Sequence, residues 1–265
     1  MKRPKQNKIN FLMRSWPEGE LVTSRWLKAH GYYKQLVKLY CDRGWLSSLG
    51  KGVYSRLNDQ VTWVAATKTL QSQLNLSLHV GGLTALQEYG VTQYSMLRDD
   101  HPSFYLYSTT ATKVNLPLWF KNHFKNGHFE QKKLFLFSLE VTVSNVDGVS
   151  LKISSPERAI LELLALVPNK INLGHANELM ENLNRLRAPV VQELLENCLS
   201  IKVKRLFLYL AEKNKLACLN ELNLKKIDLG LGKRVIGEGG HYYEKWQLSV
   251  AVAEDDFDNI EDFNE

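Results

Sequence analysis

Few groupings in this 265-residue chain have the residue types and spacing that catalysis or metal binding needs. Gly230-Leu231-Gly232-Lys233 has the outline of a loop that cradles phosphate. A P-loop, however, requires glycine where Ile227 stands and Ser or Thr where Arg234 stands, so the pattern fails twice. No Gly-x-Gly-x-x-Gly fingerprint accompanies it. His123 and His128 are five residues apart, which does not stack them on one helical face, so they read as surface or core residues and not as ligands. There is no His-Glu-x-x-His, and Cys41, Cys198 and Cys218 offer no pair at zinc spacing. Asp99-Asp100-His101 has the types of an acid–base or metal cluster, but its place before Pro102, between strand-like segments, predicts a polar loop. Glu157-Arg158 has the types of a catalytic pair, yet helix capping and a surface ion pair account for both. The reading assigns no catalytic residue, no metal and no cofactor.

What the residues do offer is charge. The net charge of +6 is unevenly distributed. From Met1 to Leu57 twelve Lys and Arg face three acids, a net of +9, whereas Glu254 to Glu265 holds seven acids and no base. A basic block on a small folded unit suits a polyanion, because each phosphate it neutralises releases counterions. Lys34, Gln35 and Lys38 share one spacing, with Arg25, Lys28, Lys51 and Arg56 around them. Gln and Lys read adenine and guanine edges, and Lys and Arg also hold phosphate.

The elements that would position these groups follow from pattern. Ile9, Leu12, Met13 and Trp16 fit one face of a helix over Lys5–Trp16, broken by Pro17-Glu18-Gly19. Thr23 and Ser24 are good N-caps for a second helix through His30, and Gly31 fits a helix stop. A third helix is expected over Tyr32–Arg43, with Leu36, Leu39 and Tyr40 inward and Lys34, Gln35 and Lys38 outward, and Gly44 ending it. Two strand-like pieces around Gly50-Lys51-Gly52 then read as a β-hairpin. Three helices and a hairpin make a winged helix-turn-helix over residues 1–60, with the third helix in the major groove. Its expected contacts are Thr23, Ser24, Arg25, Lys28, Tyr32, Tyr33, Lys34, Gln35, Lys38, Arg43, Lys51 and Arg56.

Residues 61–253 read as a larger mixed α/β domain, so the whole chain is α+β. Helices are expected at Val61–Leu74, within Gly81–Gly90, from Ser155-Pro156-Glu157 to near Pro168, and at Ala176–Leu186, Pro189–Leu199 and Val203–Asn214. Strands are expected at Ser103–Thr109, Lys133–Val143, Val149–Ile153 and Tyr242–Val250. Alternating aromatics at Phe104–Tyr107 and Leu134–Phe137 have faces on which bases could stack, but apolar alternation in strands reads first as core. Lys202, Lys204 and Arg205, and above all Lys225, Lys226, Lys233 and Arg234, would give this domain a second basic surface. Glu254–Glu265 reads as an acidic, disordered tail. No apolar run is long enough for a membrane span, and the scattered cysteines suit a cytoplasmic protein.

Four stretches in order resemble the abortive-infection AbiE type antitoxin family. They are Leu21-Val22-Thr23-Ser24-Arg25-Trp26-Leu27-Lys28 with Gly44-Trp45-Leu46 and Gly50-Lys51-Gly52-Val53-Tyr54; Gly82-Leu83-Thr84-Ala85-Leu86 with Tyr89-Gly90; Ser155-Pro156-Glu157-Arg158-Ala159-Ile160-Leu161-Glu162-Leu163-Leu164; and Asp228-Leu229-Gly230 with Gly232-Lys233-Arg234-Val235 and Gly239-Gly240. The resemblance implies a two-domain type IV antitoxin. Its winged helix would repress its own operon at inverted repeats in operator DNA, and its C-terminal domain would counteract a nucleotidyltransferase-like toxin. It implies no active site and says nothing of the acidic tail. Apart from the resemblance, the sequence also fits a regulator whose C-terminal domain senses a ligand or a protein partner, with no toxin.

Overall fold

A computed structural model describes residues 8–17, 20–91, 103–109, 112–237 and 240–250. The basic terminus Met1–Lys5, the Asp99-Asp100-His101 cluster, part of Gly239-Gly240 and the acidic tail lie outside them. Along the chain run α1 (Lys8–Ser15), β1 (Val22–Thr23), α2 (Ser24–Ala29), α3 (Lys34–Asp42), β2 (Leu46–Gly50), β3 (Val53–Arg56), α4 (Trp63–Ser72), β4 (Leu78–Val80), α5 (Gly82–Glu88) and β5 (Phe104–Ser108). There follow α6 (Leu118–His123), β6 (Gly127–Glu130), β7 (Val141–Val146), β8 (Val149–Ser154), α7 (Pro156–Leu164), α8 (Leu173–Glu181), α9 (Ala188–Asn197), α10 (Ile201–Lys213), β9 (Arg234–Ile236), β10 (His241–Tyr243) and β11 (Leu248–Val250). The fold is thus mixed α and β, as the sequence implies. Among the described residues no helix is long and apolar enough to cross a membrane.

Packing divides the chain into two compact units. The first comprises residues 1–78, 113–127 and 143–152, and the second comprises 79–112, 128–142 and 153–265. The first therefore takes in more than residues 1–60. One reason is that α4 ties down β1: Thr69 Oγ1 accepts from the Leu21 amide at 3.0 Å, and Gln73 Oε1 accepts from the Thr23 amide at 2.9 Å. These bonds satisfy backbone groups that would otherwise be buried without partners. The core of this unit is built from Ile9, Leu12, Trp16, Val22, Leu27, Tyr32, Val37, Tyr40 and Leu46. Its sheet has the order β1-β3-β2, antiparallel throughout, with Val22 opposite Tyr54 and Thr23 opposite Val53.

A five-stranded sheet has the order β6-β5-β4-β8-β7, with Val80 paired in parallel to Ile153. Phe104, Tyr105, Leu106 and Tyr107 of β5 are all buried, as expected of core. Lys133–Leu139 departs from the expected strand. Only Phe135 forms an isolated bridge, to Cys198, and Leu136 and Phe137 are exposed, so the alternation there is not a buried face. α7 starts as predicted, with the Ser155 side chain accepting from the Arg158 amide and Pro156 in the first turn. It stops at Leu164, short of Pro168. A small three-stranded sheet, β10-β11-β9, closes the described chain.

Candidate nucleic-acid interface

The helix-turn-helix geometry is set by two glycine stops. After α2, Gly31 adopts φ +82°, its amide bonds to Lys28 O at 3.1 Å, and the Tyr32 amide bonds to Leu27 O at 2.9 Å. After α3, Gly44 repeats the device at φ +68°, with its amide on Cys41 O and the Trp45 amide on Tyr40 O, both 2.9 Å. These are Schellman caps, in which the left-handed residue lets the chain turn back over the last carbonyls. The apolar contact that accompanies such caps is present after α3, where the Trp45 ring stands 5.5 Å from the Tyr40 ring. The first cap places α3 one tight turn after α2.

On α3 the burial pattern divides the helix cleanly. Val37 and Tyr40 are buried, Leu36 is half-buried, and Lys34, Gln35 and Lys38 are exposed. Leu39, expected inward, is exposed, because Val37 holds the core-facing position that the sequence reading gave to it. Of the other expected contacts, Ser24, Arg25 and Lys28 are exposed on α2, and Lys51 is exposed at the hairpin tip. Tyr33 is 56% exposed, with Lys8 Nζ 5.7 Å from its ring. Arg43 is exposed beside the Trp45 ring. Arg56 is half-buried, lies over Trp16 and bonds Asp59 at 2.9 Å.

Two of the expected residues point elsewhere. Thr23 is buried, and its hydroxyl accepts from the Trp26 amide to cap α2. Tyr32 is buried, with its hydroxyl donating to Lys8 O at 3.1 Å, which fastens α1 to the start of α3. Both hold the helices that carry the exposed cations. Neither offers its polar atom to a ligand.

The hairpin β2–β3 carries Lys51 between Gly50 and Gly52. Gly52 O accepts from the Ser24 amide at 2.7 Å, fixing the tip to the start of α2. Gly50 has no room for a side chain: a Cβ built there would stand 2.7 Å from Cβ of Trp119 on α6.

In the second unit the two family-like motifs meet at one carboxylate that the sequence reading did not single out. Glu162 of α7 is buried and accepts from His79 Nε2 at 2.8 Å, Arg158 Nε at 2.7 Å, Ser154 Oγ at 2.7 Å and the Gly82 amide at 3.2 Å. The carboxylate can only accept, so His79 Nε2 carries the proton, and its buried Nδ1 has no partner. Burial lowers the His79 pKa more than Glu162 raises it. For Glu162, burial alone would raise the pKa, but His79 and Arg158 overcome it and bring it to about 2. A Cβ on Gly81 would fall 2.2 Å from Glu162 Oε2, and one on Gly82 would fall 2.5 Å from the Tyr107 hydroxyl, so neither position has room for a side chain. Every side chain of the cluster is buried in the core. The signal for it was a histidine and a glutamate inside apolar runs.

The Glu157–Arg158 pair is likewise not on the surface. Arg158 serves Glu162, while buried Glu157 is gripped by Arg187, Nε to Oε1 and Nη2 to Oε2 both at 2.9 Å. Burial would raise the Glu157 pKa, but the Arg187 hydrogen bonds bring it to about 2. Arg187 also reaches Glu140 at 2.8 Å.

The expected basic surface of the second unit is thinner than the sequence suggests. Arg205 is 1% exposed and donates to the carbonyls of Leu229, Gly230, Gly232 and Gln247 at 2.6–3.0 Å. Lys204 is buried with its Nζ on Asp228 O, and Lys202 reaches the carbonyls of Ala165 and Val167. Lys225, Lys226 and Lys233 are exposed, and Arg234 is half-buried. A cavity of about 380 Å³ lies among Leu216, Leu219, Leu224 and Trp246, where Glu212 is already engaged by Lys245 and by Trp246 Nε1. Among the described residues no three His, Cys, Asp or Glu side chains gather as a metal site. The three cysteines are free, and His128 stacks on Tyr105 at 4.5 Å.

Comparison with known proteins gives two family matches. Residues 5–97 match the N-terminal domain model of AbiEi antitoxin transcriptional regulators. Residues 103–251 match the model of AbiEi antitoxin transcriptional regulators of type IV toxin–antitoxin systems. The crystal structure of the RV2827C protein from Mycobacterium tuberculosis superposes with a TM-score of 0.59 at 14% identity, covering 92% of this chain and 89% of that one. At that identity the likeness speaks for the fold. No curated protein matches by sequence.

Proposed function

The chain belongs to the AbiEi family of antitoxin transcriptional regulators of type IV toxin–antitoxin systems, and from that premise we propose that it binds operator DNA, represses its own operon and counteracts a nucleotidyltransferase-like toxin. Residues 8–56 act as a winged helix-turn-helix on inverted repeats, with no catalytic step of their own. The observation that supports this best is the division of α3, which anchors Val37 and Tyr40 in the core and leaves Lys34, Gln35 and Lys38 in solvent. In a major groove that face meets base edges, while Arg25, Lys28, Arg43 and Lys51 hold phosphates on either side. The exposed Lys225, Lys226 and Lys233, with Arg234, give the second unit a site for a further polyanion contact.

Binding of the full-length protein to its own promoter fragment tests the repressor half. The triple variant Lys34→Ala, Gln35→Ala, Lys38→Ala loses operator binding while keeping its melting temperature; undiminished binding would place the reading helix elsewhere. Co-expression with a nucleotidyltransferase-like product, if the adjacent reading frame encodes one, tests the antitoxin half. Growth restored by this chain supports it. Toxicity unchanged in its presence leaves a regulator without a toxin.

A further inference from the structure

We infer that residues 113–127 form a third DNA-contacting element, which sets Lys121 and Lys125 beside the wing and adds flanking phosphate contacts to those of α3 and Lys51. The inference rests on the DNA-binding reading of the first unit and extends it beyond residue 60.

Three observations carry it. First, the segment is part of the same compact unit as the helix-turn-helix, although some sixty residues of chain separate it from the hairpin. Its helix α6 packs on β2, and the fit is close enough that Gly50 has no room for a side chain against Trp119. Gly50 immediately precedes Lys51, so α6 stands next to the wing tip. Second, α6 is anchored on one side only. Trp119 and Phe120 are buried, whereas Leu118, Lys121, Asn122, His123 and Lys125 are exposed. Third, residues 113–127 hold three lysines, one histidine and no acid. Among the described residues neither Lys121 nor Lys125 has a carboxylate partner. A helix fixed at the wing tip by Trp119, with unpaired cations exposed on it, is placed to meet the backbone of a duplex that the wing already touches. Contacts of this kind position the protein and carry no sequence information.

The test uses the full-length protein, its own promoter fragment and a random duplex of equal length, titrated from 50 to 200 mM salt. The double variant Lys121→Ala, Lys125→Ala should flatten the salt dependence of log K by about two, roughly one for each phosphate that is no longer neutralised. It should weaken both duplexes by a similar factor and keep their ratio. Both side chains are exposed, so the fold should survive, and an unchanged melting temperature checks this. If the wild type binds its promoter and the double variant keeps the same affinity and salt slope, α6 is a brace for the wing and the inference falls alone. Tighter binding by the variant also overturns it. If the wild type binds neither duplex, the DNA-binding reading fails and takes this inference with it.

Discussion

Replacing Glu162 by Gln probes the scaffold that both family motifs build. The carboxylate accepts four hydrogen bonds, two on each oxygen: His79 and Arg158 on Oε1, Ser154 and Gly82 on Oε2. A glutamine can keep its oxygen toward His79 and Arg158. Its amide nitrogen then faces the Gly82 N–H, donor against donor, and Ser154 must turn its hydroxyl. Arg158, 5% exposed, also loses its counter-charge. Removing one partner of a buried ion pair costs about 3–5 kcal/mol. Against a total of about 5–15 kcal/mol this is a large share. At roughly 2–4 °C per kcal/mol for a chain of this size, a loss of 4 kcal/mol lowers the melting temperature by about 8–16 °C. The pH dependence adds a sharper check. The Glu162 pKa falls to about 2 on folding, below its ordinary value, so the carboxylate stabilises fully above about pH 4.5 and loses that effect as pH falls toward 2. The stability gap between wild type and Glu162→Gln, measured by denaturant titration at pH 7, 5, 4 and 3, should therefore be widest at pH 7 and shrink below about 4.5. A melting shift under 2 °C, or a gap that does not change with pH, would refute the reasoning.

Other perturbations reach other parts of the molecule. Gly50→Val puts a branched side chain where even a Cβ stands 2.7 Å from Trp119, which costs about 1–3 kcal/mol and displaces either the β2–β3 hairpin or α6. Weaker promoter binding together with a changed tryptophan emission is the expected pair, and an unchanged spectrum would show that the two do not pack. Arg187→Ala strips Glu157 of its two guanidinium hydrogen bonds and leaves the one from the residue 187 amide, and about 2 kcal/mol of stability should go with the two that are lost. Because the Arg187 bonds are what bring the Glu157 pKa to about 2, acid unfolding of this variant should begin at higher pH than in the wild type. An acid transition at the wild-type pH would contradict that assignment.

Much of the N-terminal helix-turn-helix was legible in residue order. Gly31 and Gly44 mark the helix stops because little else tolerates φ near +70° to +80° at a cap, and Thr23 marks a start because its hydroxyl can reach the Trp26 amide. Ser155-Pro156 announced α7 for the same local reason. These signals lie within a few residues of what they determine. One residue of the inward face of α3 was misread, since Leu36, Val37, Leu39 and Tyr40 allow two apolar stripes and only the packed core selects Val37 over Leu39.

The remainder depended on contacts between residues far apart in the chain. Lys204 and Arg205 have the composition of a basic surface, but they are buried because backbone carbonyls from Asp228 to Gln247 fold over them and supply acceptors. Glu162 reads as one more acid on a helix until His79, from more than eighty residues earlier, closes on it. Gly50 reads as a turn residue until Trp119 fills the place of its side chain. The sequence by itself determined the local caps, the helix order and the charge carried on each helix, because these are set by neighbours along the chain. Which cations reach solvent, which carboxylate becomes a hub and what packs against the β2–β3 hairpin were decided only by tertiary structure, because burial and hydrogen-bond satisfaction depend on what the fold brings from elsewhere.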